Sequence, residues 1–119
     1  MSRRLERLGE QLRRELAGLI RTRVRDPEVG PLSVTGVDVT SDLWVARVYV
    51  HALGTPDERV RTLEGLARAA PFLRATLSRT LHIRRMPELR FAADESVEAG
   101  QRIEEILKDV LPPADSEEE

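Results

Sequence analysis

Residues 67–91, ARAAPFLRATLSRTLHIRRMPELRF, decide the fold of this chain, because a helical pattern breaks and resumes within them. After the break, leucines recur at intervals of four, at Leu73, Leu77 and Leu81. A proline inside a helix lacks an N–H and clashes with the carbonyl four residues back, which costs about 3 kcal/mol. It also pushes the preceding residue away from the α region. The stretch therefore predicts two helices that meet at an interhelical kink formed by Ala69, Ala70 and Pro71.

The same part of the chain is strongly basic. Residues 59–90 carry eight arginines and two acids, whereas residues 91–119 carry two bases and ten acids. A sign change of this kind predicts a basic binding face and an acidic tail. The candidate RNA-binding residues are the arginines near and after the kink: Arg68, Arg74, Arg79, Arg84 and Arg85. We expect their guanidinium groups to neutralise phosphates, and an ordinary solvated basic face is the alternative.

The length and composition of the chain limit the class of protein. A chain of 119 residues predicts one domain. The absence of cysteine excludes disulfides and thiolate metal sites. No apolar run approaches the ~20 residues of a membrane span, and the N-terminus lacks the apolar region of a signal peptide. We therefore expect a cytoplasmic protein that uses no metal, cofactor or small-molecule substrate and does not bind a membrane.

The N-terminal part of the sequence predicts an amphipathic helix. Apolar residues recur at spacings of three or four from Leu5 to Val24. Ser2 can cap the start of this helix, and Asp26-Pro27 stops it. Several arginines lie off the apolar stripe, and either a solvated face or a contact with RNA would explain them.

A β-hairpin is predicted to follow. Leu32 and Val34 alternate in one phase and the next two valines in the other, so Gly36 marks a bulge. Residues 44–50 alternate in the same manner and predict the antiparallel partner strand. We expect Trp44 to lie in the core or at its rim.

The next helix has a strong start signal, with Thr55 as N-cap, Pro56 as its first residue and Glu58 completing a capping box. Alternation in residues 89–91 then predicts a short third strand. Asp94 or Ser96 caps a last helix, whose apolar stripe is Val97, Ile103, Leu107 and Val110. Residues 112–119 are acidic and have no large apolar side chain, so we expect a disordered tail.

The predicted order is α-β-β-α-kink-α-β, followed by a C-terminal helix. This is an α+β fold and the order of a KH-like type II domain, which would occupy residues 1–111. Such a domain has a three-stranded sheet with its helices packed on one face. KH domains clamp single-stranded nucleic acid through a GXXG loop between two helices. No GXXG occurs here, and the corresponding junction is the predicted kink.

The chain resembles bacterial ribosome-binding factor A from Arg3 to about Leu111. The opening helix contributes to this resemblance, together with four segments: Val37–Leu43, Ala46–Val50, Leu81–Phe91 and Asp94–Ser96. The resemblance implies binding to the small (30S) ribosomal subunit and its 16S rRNA. It also implies a late role in subunit maturation and rRNA processing, and adaptation to cold. We expect the protein to be a monomer when free.

The resemblance also bears on the kink. It implies an Ala-x-Gly kink in place of the GXXG loop, at the positions of Ala69, Ala70 and Pro71. Proline at the last position is a departure from that pattern. Pro71 has no N–H to offer a phosphate and cannot adopt positive φ. A backbone contact to phosphate at this position is therefore not expected.

Three functions remain open from the residues alone. The first is a non-enzymatic RNA-binding factor, whose contacts would rest on phosphates and shape because aromatic residues are few. Phe72 could stack on a base, although packing against a neighbouring helix is favoured. The second is a protein–protein adaptor that uses the outer sheet face, with Val45 and Tyr49, and makes no direct contact with RNA. The third is a hydrolase using His51 or His82, although no catalytic constellation surrounds either residue.

Overall fold

The computed structural model describes residues 3–83 and 85–96, which form a three-stranded sheet and two long helices. The elements in chain order are α1 (Arg3–Arg23), β1 (Leu32–Val39), β2 (Val45–Ala52), α2 (Pro56–Leu81) and β3 (Glu88–Ala93). Strand β2 is central, antiparallel to β1 and parallel to β3. The predicted α+β class and three-stranded sheet are confirmed, and the described order, α-β-β-α-β, has one long helix where two were predicted.

Several predictions fall on parts of the chain outside the described residues. These are the Ser2 cap, the position of Arg84, the C-terminal helix with its stripe, and the tail 112–119. Residues 95 and 96, at the predicted start of that helix, are helical. The Asp94 carboxylate accepts a hydrogen bond from the Ser96 N–H at 3.0 Å, as an N-cap does. Neither described helix is long and apolar enough to cross a membrane.

Helix α1 covers one part of the inner sheet face. Its apolar stripe buries Leu12, Leu16 and Ile20 in the core, which confirms the predicted amphipathic helix. Gly9 is also buried, and a Cβ at this position would collide with the carbonyl oxygen of Val37. Because glycine has no Cβ, the helix backbone can approach β1 this closely.

The inner face of the β1–β2 hairpin forms one side of the hydrophobic core. The register shifts between Val34 and Gly36, which confirms the predicted bulge. Ala46, Val48 and Val50 alternate along β2 and are buried against the helices. The phase change therefore keeps the apolar residues of β1 on the inner face on both sides of the bulge.

Helix α2 starts as predicted. The Glu58 N–H donates to the Thr55 hydroxyl oxygen at 3.1 Å, and the Thr55 N–H donates to the Glu58 carboxylate at 2.8 Å. Pro56 is the first helical residue, where its missing N–H has no intrahelical partner to lose.

The prediction of two helices meeting at Ala70-Pro71 is wrong, because α2 runs through Pro71 as one helix. Pro71 and Ala67 are both exposed, so water can bind the carbonyl of Ala67 that loses its helical partner. Leu66 on one side of the proline, and Leu73 and Leu77 on the other, are fully buried in the same core. Each buried leucine contributes about 1.5–3 kcal/mol, which offsets the roughly 3 kcal/mol cost of the proline.

The chain leaves α2 through a left-handed residue and returns to the sheet. His82 has φ 49° and forms the C-cap. Met86 and Pro87 are buried, and β3 follows with Leu89 inside and Phe91 packed against the core. The predicted third strand is confirmed.

Candidate nucleic-acid interface

A groove of 1060 Å³ separates the middle of α2 from β3 and the segment before it. It is open on the helix side because the residues there are small: Ala67, Ala70, Ala75 and Ser78. Pro71 also lines this wall, whereas Ala69 is half-buried and packs on the core. The groove is bordered by three arginines and one carboxylate, which are Arg74, Arg85, Arg90 and Glu88.

Arg74 fastens one wall of the groove to the other. Its Nε donates to the carbonyl oxygens of Met86 at 3.0 Å and Pro87 at 3.1 Å, and its Nη2 donates to Met86 at 2.6 Å. A guanidinium has five N–H donors, so three remain for a ligand. This predicted RNA-binding residue therefore lies in the groove and also holds the segment before β3 against α2.

Arg68 lies elsewhere and is already paired. Its Nε and Nη2 donate to the two carboxylate oxygens of Asp26 at 2.9 and 3.2 Å. Arg68, and then the Glu28 N–H, hold the pKa of Asp26 below its ordinary range, while Asp26 raises the pKa of Arg68. Because Arg68 and Asp26 neutralise each other outside the groove, the structure does not bring Arg68 together with the other candidates.

The remaining predicted arginines differ in their positions. Arg79 is exposed near the end of α2 and has no hydrogen-bond or ion-pair partner among the described residues, but it does not line the groove. Arg85 lines the groove and also lies over the ring of Trp44, with 4.1 Å between its Cζ and the ring centroid. The structure therefore brings together Arg74 and Arg85 of the predicted set.

Arg90 is a groove residue that the sequence reasoning did not select. It alternates with Leu89 and Phe91 in β3, and its guanidinium lies 3.3 Å from the carboxylate of Glu88. Both side chains are more than half exposed, so this ion pair is screened by water. The alternation of Arg90 with two apolar residues is the sequence signal that could have placed it at the surface of the third strand.

Of the two places expected for Trp44, the core is wrong, because 60% of the residue is exposed. It follows a turn in which Leu43 has φ 64°, a left-handed conformation that costs an L-residue about 1–2 kcal/mol. The Asp42 carboxylate accepts hydrogen bonds from the Thr40 hydroxyl at 2.7 Å and the Trp44 N–H at 3.0 Å. These two bonds, in that order, lower the pKa of Asp42.

Phe72, His51 and His82, the other candidate residues from the sequence, show no sign of a binding or catalytic role in the described part of the chain. The guanidinium of Arg23 lies 5.7 Å from the ring centroid of Phe72, so this partly exposed ring contacts the neighbouring helix. His51 is half-buried, and His82 caps α2. Within residues 3–83 and 85–96, no group of three histidine or carboxylate side chains could hold a metal ion.

A comparison with protein families matches residues 4–107 to the model of ribosome-binding factor A. The chain belongs to the ribosome-binding factor A family. The match includes both helices and all three strands, so the groove lies within the part that is shared with other ribosome-binding factor A proteins.

Solved ribosome-binding factor A structures have the same fold. The crystal structure from Thermus thermophilus is 35% identical, with 75% of this chain and 94% of that chain covered and a TM-score of 0.66. An NMR structure from Thermotoga maritima, proposed to be a ribosome-binding factor A, is 32% identical, with coverages of 77% and 88% and a TM-score of 0.69. A third is a Thermus thermophilus homology model fitted into an electron-microscopy map of a complex with the 30S subunit. It is 34% identical, with coverages of 73% and 91% and a TM-score of 0.60.

Proposed function

We propose that this protein binds the small (30S) ribosomal subunit and assists its late maturation, with the α2–β3 groove in contact with 16S rRNA. The observation that carries the proposal is the groove itself, bordered by Arg74, Arg85 and Arg90 in a member of this family. The Thermus relative fitted into a 30S complex supports the choice of partner. The protein would act by binding and would catalyse no reaction.

The groove would bind RNA through side chains. Guanidinium groups match the oxygens of a phosphate with two parallel hydrogen bonds. Pro71 lines the groove at the place where a KH domain presents backbone N–H groups, and it has none to offer. Because the helix wall is built from alanine and serine, an RNA backbone can approach α2 closely. We therefore expect binding that depends on salt and only weakly on base sequence.

The wider role follows from the family rather than from the groove. We propose that the protein participates in rRNA processing and supports growth in the cold. It would act in the cytoplasm, as a monomer when it is not bound to the subunit, and without a cofactor. A strain lacking the protein should then accumulate unprocessed 16S rRNA, more strongly at low temperature than at high temperature.

Co-sedimentation with purified 30S subunits tests the partner and the groove together. Wild-type protein should travel with the subunits at low salt, and Arg85→Ala should weaken this binding. Arg61→Ala is the control, because Arg61 is an exposed arginine of α2 that pairs with Glu28 away from the groove. Absence of the folded wild-type protein from the subunit fractions would contradict the proposal.

The same experiment separates this function from a protein–protein adaptor. Val45 and Tyr49, the residues named for that role, are half-buried. An adaptor would bind its partner after RNase treatment and with little dependence on salt. Loss of binding after RNase treatment would exclude that alternative.

A further inference from the structure

The only tryptophan of the chain stands exposed at the end of the β1–β2 hairpin. Exposed large apolar side chains are ordinary when scattered singly, but the surroundings of Trp44 set it apart. Arg85 covers one face of the indole ring, with its Cζ 4.1 Å from the ring centroid. Sixty per cent of the residue remains open to solvent.

The turn before Trp44 is built to hold it in this position. The Leu43 N–H donates to the Thr40 carbonyl at 2.9 Å, and the Val45 N–H donates to the Thr40 hydroxyl at 3.1 Å. The Asp42 carboxylate binds the Trp44 N–H at 3.0 Å. Leu43 adopts a left-handed conformation in the middle of these bonds, although its side chain disfavours it. Strain that the surrounding hydrogen bonds maintain is often found where a side chain is held for binding.

Arg85 connects this ring to the groove. It lines the groove between α2 and β3, and it also lines an apolar pit of 700 Å³ at the end of the hairpin. Arg4 and Leu43 contribute to the same pit. A phosphate backbone lying in the groove would therefore reach Arg85, which lies over the exposed indole and also lines the pit to which Arg4 contributes. Positive charge beside an open aromatic face is the combination that single-stranded nucleic acid binds.

We propose that an unpaired RNA base stacks on the open face of Trp44 while Arg85 binds the adjoining phosphate. This inference rests on the proposed function and adds a base contact to the phosphate contacts of the groove. Stacking on an aromatic ring tolerates any base, because every base has a π face. The site would therefore select for a single strand rather than for a particular sequence.

The fluorescence of Trp44 reports directly on this contact, because no other tryptophan is present. The full-length protein is titrated with poly(U), with protein-free 16S rRNA and with 30S subunits. Stacking predicts quenching of the indole emission by all three. In parallel filter binding, Trp44→Ala should lower the affinity about tenfold, the lower part of the range for one stacked base.

The salt dependence of binding distinguishes the base contact of Trp44 from the phosphate contact of Arg85. Stacking releases no counterions, so Trp44→Ala should leave the slope of log K against log salt unchanged. Arg85→Ala should reduce that slope by about 0.7, the value for one phosphate contact on a single strand. Trp44→Phe keeps an aromatic face and should retain most of the affinity. Melting curves of each variant show whether the protein is folded in the binding assay.

Several results would overturn the inference without touching the proposed function. One is binding to 30S subunits with no quenching and with wild-type affinity for Trp44→Ala. Another is a smaller salt slope for Trp44→Ala, which would mean that the ring only positions Arg85. A third is a loss for Trp44→Ala that appears with 30S subunits but not with free rRNA, which would assign the ring to a ribosomal protein. Failure of the wild-type protein to bind 30S subunits would instead contradict the proposed function.

Discussion

At the scale of single residues, two arginines of α2 differ in whether they stabilise the fold. Arg74 donates to two carbonyl oxygens of the buried segment Met86-Pro87, whereas Arg79 has no partner among the described side chains and backbone groups. A hydrogen bond from a charged donor contributes about 1.5–3 kcal/mol, and a buried acceptor left without a donor costs about 1–3 kcal/mol. The basic stretch thus contains one arginine that holds the structure together and another without a partner in the described part of the chain.

Arg74→Ala should therefore destabilise the protein by about 1–3 kcal/mol, because the carbonyls of Met86 and Pro87 lose their donors. Urea unfolding measures the change. Arg79→Ala is the matched control on the same helix and should stay within about 0.5 kcal/mol of wild type. Equal stabilities for the two variants would show that the hydrogen bonds of Arg74 contribute nothing.

The Asp26–Arg68 pair predicts a pH dependence of stability. The pKa of Asp26 is lowered in the folded protein, so the carboxylate binds fewer protons there than in the unfolded chain. Its contribution is fully present above the unfolded pKa of about 3.9 and is lost as the pH falls through the lower folded value. Melting temperatures of wild type and Asp26→Asn should differ at neutral pH and converge in acid. A constant difference down to acid pH would exclude this linkage.

At the scale of elements, the sequence predicted local features well and a distant one badly. The capping box at Thr55 and the bulge near Gly36 depend on residues a few positions apart, so their patterns are visible in the chain. The break at Pro71 was predicted from the local cost of proline. The helix nevertheless continues through Pro71, because Leu66 and Leu73 are buried against a sheet formed by other parts of the chain.

The same limit applies to the candidate site. Charge alone pointed to Arg74 and Arg85, and both lie at the groove. It could not show that Arg68 is neutralised by Asp26, because the two are distant in sequence and meet only in the folded protein. It also left Trp44 between the core and its rim, since a hydrophobic alternation does not show where a strand begins or ends.

Pro71 within α2 lowers the stability of the protein by a measurable amount. Pro71→Ala should raise the free energy of unfolding by about 1–3 kcal/mol, because alanine restores the N–H to the Ala67 carbonyl and removes the ring clash. The gain is below the full cost because proline also restricts the unfolded chain. Pro71→Gly should gain less than alanine, since glycine is about 1 kcal/mol less favourable in a helix. Destabilisation by Pro71→Ala would show that the ring itself packs usefully.

The close approach of α1 to β1 provides another test at this scale. Gly9→Ala should destabilise by about 1–3 kcal/mol, because the added Cβ meets the Val37 carbonyl and the helix must move away. Gly18→Ala is the control in the same helix, where a Cβ meets no atom within 4 Å. It should stabilise by about 0.5–1 kcal/mol through helix propensity. Thermal unfolding of both variants gives the comparison, and destabilisation by both would contradict this account of the contact.

At the scale of the whole molecule, one core connects both helices with all three strands. Leu77 is fully buried in it, so Leu77→Ala should cost about 2–5 kcal/mol by leaving a cavity. The groove residues are untouched by this change, so the folded fraction should bind 30S subunits with the wild-type salt slope. A changed slope in folded protein would show that core packing shapes the RNA interface.

The parallel pairing of β3 with β2 also implies an order in which the strands pair during folding. The hairpin β1–β2 joins neighbours in the chain, but β3 reaches β2 only after all of α2 has crossed the sheet. Pairings between distant residues form late, because a long loop must close first. We therefore expect pulse-labelled hydrogen exchange to protect β2 opposite β1 before it protects β3, and simultaneous protection would refute this order. A growing chain would then complete the groove only with β3, which itself carries Arg90. The proposed binding to rRNA would therefore begin only after nearly all of the described residues have been synthesised.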